Sequence, residues 1–280
     1  MQYVNSPSVR RQPSENTALM NVFMNHLELA SYKHKRENGG IIRRKDPIGE
    51  ILMTAQMKCK ILSFEDVYSM VRNVSEKIKD SGFEPTTIIG LARGGWVHAR
   101  LLCDFLGITD LVSLKVEHWL ETGKTNNEAI IKYPVTTSLT DKRVLIFDDI
   151  TDTGESLIIA SKHIENLHPE ESRVGVMQYI TSSKRVPDYY AEKVTDWYWF
   201  IYPWNWIEDT STLIVRLMSE DQTLTWNSES VNASLHKHFG IIWDQNMLEY
   251  ILNLMSERGQ IDKFDGDTKF KLKTRTVIRL

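Results

Sequence analysis

Apolar positions in this chain follow two different periods. Across residues 64–79 they fall at Phe64, Val67, Met70, Val71, Val74 and Ile78, the spacing of one helical face, which predicts a helix packed against a core. Residues 86–91, 111–116, 144–147 and 174–179 are instead short, nearly continuous apolar runs, as expected of strands buried on both faces of a parallel sheet. Helical stretches at residues 97–106 and 157–164 fall between them. Alternating strand and helix implies an α/β fold, a parallel sheet with helices on both faces.

The chemistry gathers at the carboxyl ends of two of these strands, the edge where open α/β sheets bind ligands. After the run at 144–147 come Asp148 and Asp149, whose carboxylates can accept hydrogen bonds from vicinal hydroxyls or face a bound metal. Thr151, Asp152, Thr153, Gly154, Glu155 and Ser156 follow and open a helix, offering hydroxyls, a close-approach glycine and free helix amides that suit a phosphate dianion. One strand-helix unit upstream, Ala92-Arg93-Gly94-Gly95-Trp96 follows the run at 86–91. Arg93 there could pair with an anionic leaving group.

The apolar run, acidic pair and D-T-G-E-S turn resemble the sugar-donor motif of the type I phosphoribosyltransferases. The resemblance covers residues 60–204 and implies the family's α/β core. It implies that Asp148 and Asp149 hold the ribose hydroxyls of 5-phosphoribosyl 1-diphosphate (PRPP). It further implies that Thr151, Asp152, Thr153, Gly154, Glu155 and Ser156 wrap the 5′-phosphate, and that Asp152 is the general base. Arg93, Gly94 and Gly95 match the pyrophosphate loop, where the peptide between arginine and glycine is often cis, and Arg93 would help neutralise the leaving group. The polar stretch 117–133 corresponds to a mobile hood, with Lys115, His118 and Lys124 as candidate phosphate contacts. Mg²⁺ is the implied cofactor, carried mainly by PRPP and pyrophosphate oxygens, with no dedicated protein ligand. Neighbouring carboxylates would raise the Asp152 pKa and helix amides would lower it, a balance left open by the sequence.

Farther on, Pro187-Asp188-Tyr189-Tyr190 and Trp199-Phe200-Ile201-Tyr202-Pro203-Trp204 resemble the pattern of xanthine-guanine and archaeal-type purine phosphoribosyltransferases. On that match Trp199 stacks on the base, the backbone of Phe200 reads its edge, and Ile150 lines the same pocket. One position departs from the pattern. The lysine that would meet a 6-oxo group falls on Ile180, which cannot hydrogen-bond, so adenine, a 6-oxopurine and a non-purine acceptor all remain open. Lys184 and Arg185 stand near that place in sequence but out of register.

The chain has 280 residues, enough for more than one domain, and 41% of them are hydrophobic. Its formal net charge of −3 excludes a strong overall bias toward nucleic acid or membrane, and its start lacks the apolar stretch of a signal peptide, so a cytoplasmic protein is expected. Cys59 and Cys103 lack metal-ligand spacing and are expected as free thiols. The expected division is an N-terminal, partly helical extension (1–59), a phosphoribosyltransferase domain (60–207) and a C-terminal domain (208–280). In the extension, residues 16–35 read as a helix and 33–45 as a basic, solvated face. Residues 231–239 and 244–258 read as helices, and the alternation of 269–273 with Asp265-Gly266 reads as a hairpin, together resembling a small winged helix. Lys263, Lys269, Lys271, Lys273, Arg275 and Arg279 could touch DNA phosphates, although the acidic second helix is a poor groove reader. The expected function is nucleotide salvage, transfer of ribose 5-phosphate from PRPP to a nucleobase, by a homo-oligomer. The alternative is a PRPP-sensing, DNA-binding regulator on the same fold.

Overall fold

The computed structural model describes residues 57–119, 128–264, 266 and 268–273. The expectations for the 16–35 helix, the 33–45 basic face, Lys124, Asp265, Arg275 and Arg279, and for the His118 side chain, lie outside the described residues. In chain order the elements are β1 (Cys59–Ile61), α1 (Phe64–Asp80), β2 (Thr87–Ala92), α2 (Trp96–Leu106), β3 (Leu111–Trp119), β4 (Glu128–Tyr133), β5 (Arg143–Thr151), α3 (Glu155–Glu165), β6 (Glu171–Ile180), β7 (Tyr189–Val194) and β8 (Trp199–Ile201). A single 3-10 turn (Pro203–Asn205) leads into α4 (Trp206–Glu220), α5 (Ser228–Phe239), α6 (Gln245–Glu257), β9 (Ile261–Phe264) and β10 (Lys269–Leu272).

Six strands form the main sheet in the order β4-β3-β2-β5-β6-β7. Strand β2 runs parallel to β3 and β5, and β6 runs parallel to β5 and β7, while β4 returns antiparallel to β3. The sequence explains the layering. Successive β5 side chains point to opposite faces, so Leu145 and Phe147 join α1 and α2 in one core while Val144 and Ile146 join α3 in another. Helix α1 starts where Ser63 and Asp66 cap each other reciprocally, Asp66 N donating to Ser63 Oγ at 3.1 Å and Ser63 N to Asp66 Oδ2 at 2.8 Å. Of its predicted stripe, Val67, Met70, Val71, Val74 and Ile78 are buried, whereas Phe64, at the first position of the helix, is exposed. The expected parallel α/β sheet with helices on both faces is what the chain forms.

Two stretches differ from expectation. The polar segment read as a plain hood is, where described, a hairpin arm: β3 continues to Trp119, and β4 begins at Glu128 and pairs with it. Its charged residues serve an exposed edge, Lys132 reaching Glu117 across the strands at 2.9 Å, which hides the strand pattern from a hydrophobicity reading. At the other end, α4 runs through the expected boundary near residue 208. Its Leu213, Ile214 and Leu217 share a core with Leu235 of α5, Leu248 and Ile251 of α6, and Cys59 and Ile201 of the parallel β1-β8 pair. The helices α5 and α6 are followed by the antiparallel β9-β10 hairpin.

Candidate functional site

Strand β5 carries the acidic pair into the open edge of the sheet, with Asp148 in register with Val176 and Ile150 with Gln178. The two carboxylates are fixed by neighbouring amides: Asp149 N donates to Asp148 Oδ1 at 3.0 Å, and Ile150 N donates to Asp149 Oδ1 at 2.8 Å. Burial and the proximity of Asp149 push the Asp148 pKa well above the usual carboxylate range. Burial raises Asp149 to about 6, opposed by backbone donors and by the indole of Trp204. The raised pKa values mean that ionising both crowded carboxyls is costly, a cost that hydroxyl donors or a cation would reduce.

Beyond Thr151 the chain turns at Gly154, whose φ of +82° is the left-handed region. A Cβ there would meet Ser183 Oγ at 2.6 Å and the Arg185 amide at 2.7 Å, so this position also requires glycine for space. Helix α3 starts at Glu155, whose amide donates to Thr153 Oγ1 at 3.4 Å, and its N-cap Gly154 has no side chain to cap the amides that follow. The segment after β6 braces this turn. Thr151 Oγ1 and Ser183 Oγ share a hydrogen bond of 2.8 Å, Lys184 N donates to Thr153 O at 3.0 Å, and Lys184 Nζ pairs with Glu155 at 3.1 Å. Thr153 and Ser156 are half-buried on the same turn.

Asp152 stands between this turn and the aromatic segment. Burial raises its pKa to about 6, a hydrogen bond from the Trp197 side chain opposes the rise, and Oδ2 is buried without a hydrogen-bond partner. The balance left open by the sequence is thus struck between desolvation, which raises the pKa, and the Trp197 hydrogen bond, which lowers it, rather than between neighbouring carboxylates and helix amides.

The second loop lies across the sheet edge. The peptide Ala92–Arg93 is cis, one residue before the arginine-glycine bond. A Cβ on Gly94 would overlap the Asp149 carboxylate, and one on Gly95 would meet Leu91 O at 2.5 Å and Phe147 O at 2.7 Å. Glycine therefore lets this loop lie directly on the acidic pair. Arg93 is exposed and pairs with Glu208 at 2.8 Å. Lys115 is in register with Ala92, and its ammonium pairs with Glu117 at 2.6 Å.

The aromatic segment divides by strand alternation. Trp199 and Ile201 face the C-terminal core, whereas Tyr198, Phe200, Tyr202 and Trp204 face the core that also contains Ile150. Trp199 lies 6.4 Å from Trp197, and its side chain hydrogen-bonds the Asp209 carboxylate. In the β1-β8 pairing, Trp199 N donates to Lys58 O and Leu62 N donates to Ile201 O. These bonds use the residues on either side of Phe200, which puts the Phe200 amide and carbonyl on the opposite edge of the strand. Ile180 is buried at the end of β6, in register with Val194. Lys184 and Arg185 lie at the Gly154 turn instead.

Sequence reasoning missed the scaffold behind the pair. Trp204 stacks on Tyr202 at 4.9 Å and lies 5.4 Å from the wholly buried His98 ring, which burial holds neutral with a pKa of about 3. Tyr202 donates to Gln178 at 2.6 Å, and Gln178 donates to Glu192 at 2.8 Å. Asp209 was also missed; burial foremost, together with Glu208 and Asp149, raises it to about 7, against the Trp199 hydrogen bond and Arg93. The available signal was the Glu208-Asp209 pair at a helix start shortly after the aromatic run.

A family model described as "Phosphoribosyl transferase domain" matches residues 60–208. Among solved structures, the chain is similar to a purine phosphoribosyltransferase from Pyrococcus horikoshii Ot3, with 30% identity, a TM-score of 0.48, and coverage of 53% of this chain and 94% of that one. It is also similar to a hypothetical protein from Neisseria gonorrhoeae with bound ppGpp, with 24% identity, a TM-score of 0.49, and coverage of 54% and 92%. A xanthine-guanine-hypoxanthine phosphoribosyltransferase from Helicobacter pylori shares 19% identity, with a TM-score of 0.46 and coverage of 51% and 92%.

Proposed function

Since the chain belongs to the phosphoribosyl transferase domain family, we propose that it transfers the ribose 5-phosphate of PRPP to a purine base, releasing pyrophosphate, in nucleotide salvage. The observation that carries this reading is the convergence of Asp148, Asp149, the Gly154 turn and the Gly94 loop at one sheet edge, with Asp152 beside them.

Each part has a physical task. Asp148 and Asp149 accept hydrogen bonds from the ribose hydroxyls, which offsets the cost of two adjacent buried carboxylates. Thr151, Asp152, Thr153, Gly154, Glu155 and Ser156 bind the 5′-phosphate through hydroxyls and the amides that begin α3. Arg93, Gly94 and Gly95 receive the diphosphate, and Lys115 adds positive charge beside that loop. The reaction breaks the bond from C1′ to the diphosphate oxygen and forms one from C1′ to a base nitrogen. With a pKa near 6, Asp152 is ionised at neutral pH and basic enough to take the nitrogen's proton.

The acidic pair also fits Mg²⁺, an oxygen-seeking cation that keeps several waters. Among the described residues no group of three or more His, Cys, Asp or Glu side chains forms a metal cage, so ligand oxygens would complete the coordination beside Asp148 and Asp149. The ion would supply neutralisation of the departing diphosphate.

The acceptor base is assigned to the space beside Asp152 and the free edge of Phe200, on the side of the strand where Ile150 lies; Trp199, expected to share that pocket, packs toward the C-terminal core and bonds Asp209 instead. The Phe200 amide and carbonyl can donate to and accept from a purine edge without an amino-acid-specific code. Because Ile180 offers no donor, a 6-oxo group gains no cationic contact there, and adenine stands as a candidate beside hypoxanthine and guanine. Residues 208–280 are kept as a C-terminal domain sharing α4 with the catalytic part, and a homo-oligomer in the cytoplasm remains the expected context. Among the described residues no helix is long and apolar enough to cross a membrane.

The test is pyrophosphate release from PRPP with Mg²⁺ across a panel of nucleobases. Turnover with one or more purines is expected. Tight PRPP binding without turnover on any base would overturn the transferase reading in favour of a PRPP-responsive regulator.

A further inference from the structure

Arg93, at the diphosphate loop, is already engaged by the chain itself. Its Nη2 donates to Glu208 Oε1 at 2.8 Å, and the charged guanidinium is favoured first by that bond, then by the charges of Glu208, Asp209 and Glu117. These groups come from two elements, the first turn of α4 and strand β3. A guanidinium offers a limited fork of donors, and Glu208 engages Nη2, one of the donors on which a two-point contact with a diphosphate would draw. The pair is exposed, with side-chain exposures of 71% for Arg93 and 45% for Glu208, and exposed pairs hold weakly. A two-point contact with a diphosphate would outcompete it.

Resting on the sugar-donor reading above, we infer that Glu208 is a positioning residue that competes with the diphosphate of the sugar donor for Arg93. It keeps the guanidinium over the loop, poised toward α4, and gives it up when the diphosphate arrives. The exchange makes and breaks only hydrogen bonds and ion pairs. It lowers affinity for the donor and for product pyrophosphate alike, which favours release of the product after transfer. Because Leu213, Ile214 and Leu217 of α4 sit in the C-terminal core, the competing carboxylate is anchored by a packed body and does not simply drift with a loop.

The experiment is titration calorimetry of the full chain with PRPP and with pyrophosphate, each with Mg²⁺, for the parent, Glu208→Gln, Glu208→Ala, Arg93→Ala and the double variant Arg93→Ala/Glu208→Gln. Both Glu208 variants should bind each ligand about 2–5-fold more tightly, the range expected from releasing an exposed ion pair. In the Arg93→Ala background the Glu208→Gln gain should disappear. An unchanged or weakened affinity in the Glu208 variants overturns the inference. So does a gain that persists without Arg93, which would mark simple charge repulsion. If PRPP binds the parent but Glu208 has no effect, only this inference falls; if PRPP binds none of the proteins, the sugar-donor reading falls with it.

Discussion

The β5–α3 turn and the β8–α4 turn meet at the same acidic pair, yet they are built in opposite ways. The first is made of consecutive residues, Asp148 through Ser156, set by one strand's register and one left-handed glycine. The second is assembled from distant parts of the chain. Trp204 rests on Tyr202 and His98, Tyr202 on Gln178, and Trp199 on Asp209, while Glu208 reaches back to Arg93. On the proposed reading the first turn holds a sugar phosphate, which presents the same hydroxyls and oxygens whatever base follows, so a short backbone device would suffice for it. The base, on the same reading, would be selected by packing, which can be retuned residue by residue on a separate core.

The comparison can be broken most severely at Asp152, which lies in the β5–α3 turn and takes a hydrogen bond from Trp197 just ahead of β8. Asp152→Asn keeps the shape but removes the proposed proton acceptor, and kcat should fall by about 10²–10⁴-fold while PRPP affinity stays close to the parent's. The parent's kcat should rise with pH through about 6 as Asp152 ionises, and this limb should be missing in the variant. Full turnover in Asp152→Asn would remove the base from the β5–α3 turn. Next in size is Gly94→Ala, which drives a methyl group into the Asp149 carboxylate. Overpacking of this kind costs about 1–3 kcal/mol, so PRPP should bind roughly 5–150-fold more weakly in calorimetry, with the fold intact by circular dichroism. Unaltered binding would show that the two loops are not locked together.

The same contrast governs which features are legible in the amino-acid sequence. Asp148, Asp149 and the Gly154 turn are legible because their chemistry lies in sequence order and follows an apolar run. The α1 stripe is legible from Val67, Val71, Val74 and Ile78, since a helix repeats its buried face at fixed intervals. Strand β4 escapes because Lys132 and Tyr133 serve an exposed edge, and β1 escapes because a three-residue strand has no period to detect. Asp209 escapes for a different reason. Its raised pKa comes from burial beside Trp199 and from charges that only the tertiary fold brings close. The register that puts a lysine position at Ile180 is readable, but the destination of Lys184 is not, because it depends on how the segment after β6 folds over the Gly154 turn.

Asp209 permits a smaller test on the assembled side. Its carboxyl moves from 3.8 to about 7 on folding, so the folded state holds the proton more strongly than the unfolded chain does. The stabilising contribution is therefore complete below about pH 4 and is lost as pH rises through about 7. Asp209→Asn, which can still accept the Trp199 hydrogen bond, is free of that loss. The melting temperature of the variant minus that of the parent should become more positive by a few degrees between pH 4 and pH 8. A flat difference would show that Asp209 ionises without strain and that the β8–α4 turn is less enclosed than its packing implies.

The smallest effect is expected at Lys184, and it separates two roles for the segment that braces the Gly154 turn. The backbone of Lys184 holds Thr153 O at 3.0 Å whatever its side chain, whereas the ammonium pairs with Glu155 at 3.1 Å with 68% of the lysine side chain exposed. An exposed pair of this kind is worth at most about 1 kcal/mol, so Lys184→Ala should raise the KM for PRPP by no more than about 5-fold and leave the ranking of bases unchanged. Had Lys184 taken over recognition of a 6-oxo group from the Ile180 position, its loss would strip a buried hydrogen bond from the base. Discrimination against bases lacking that oxygen would then collapse by orders of magnitude. Steady-state kinetics with paired 6-oxo and 6-amino purines distinguishes the two. A collapse would move base selection onto the β5–α3 side, while a small, base-independent change keeps selection with the aromatic strand and Phe200.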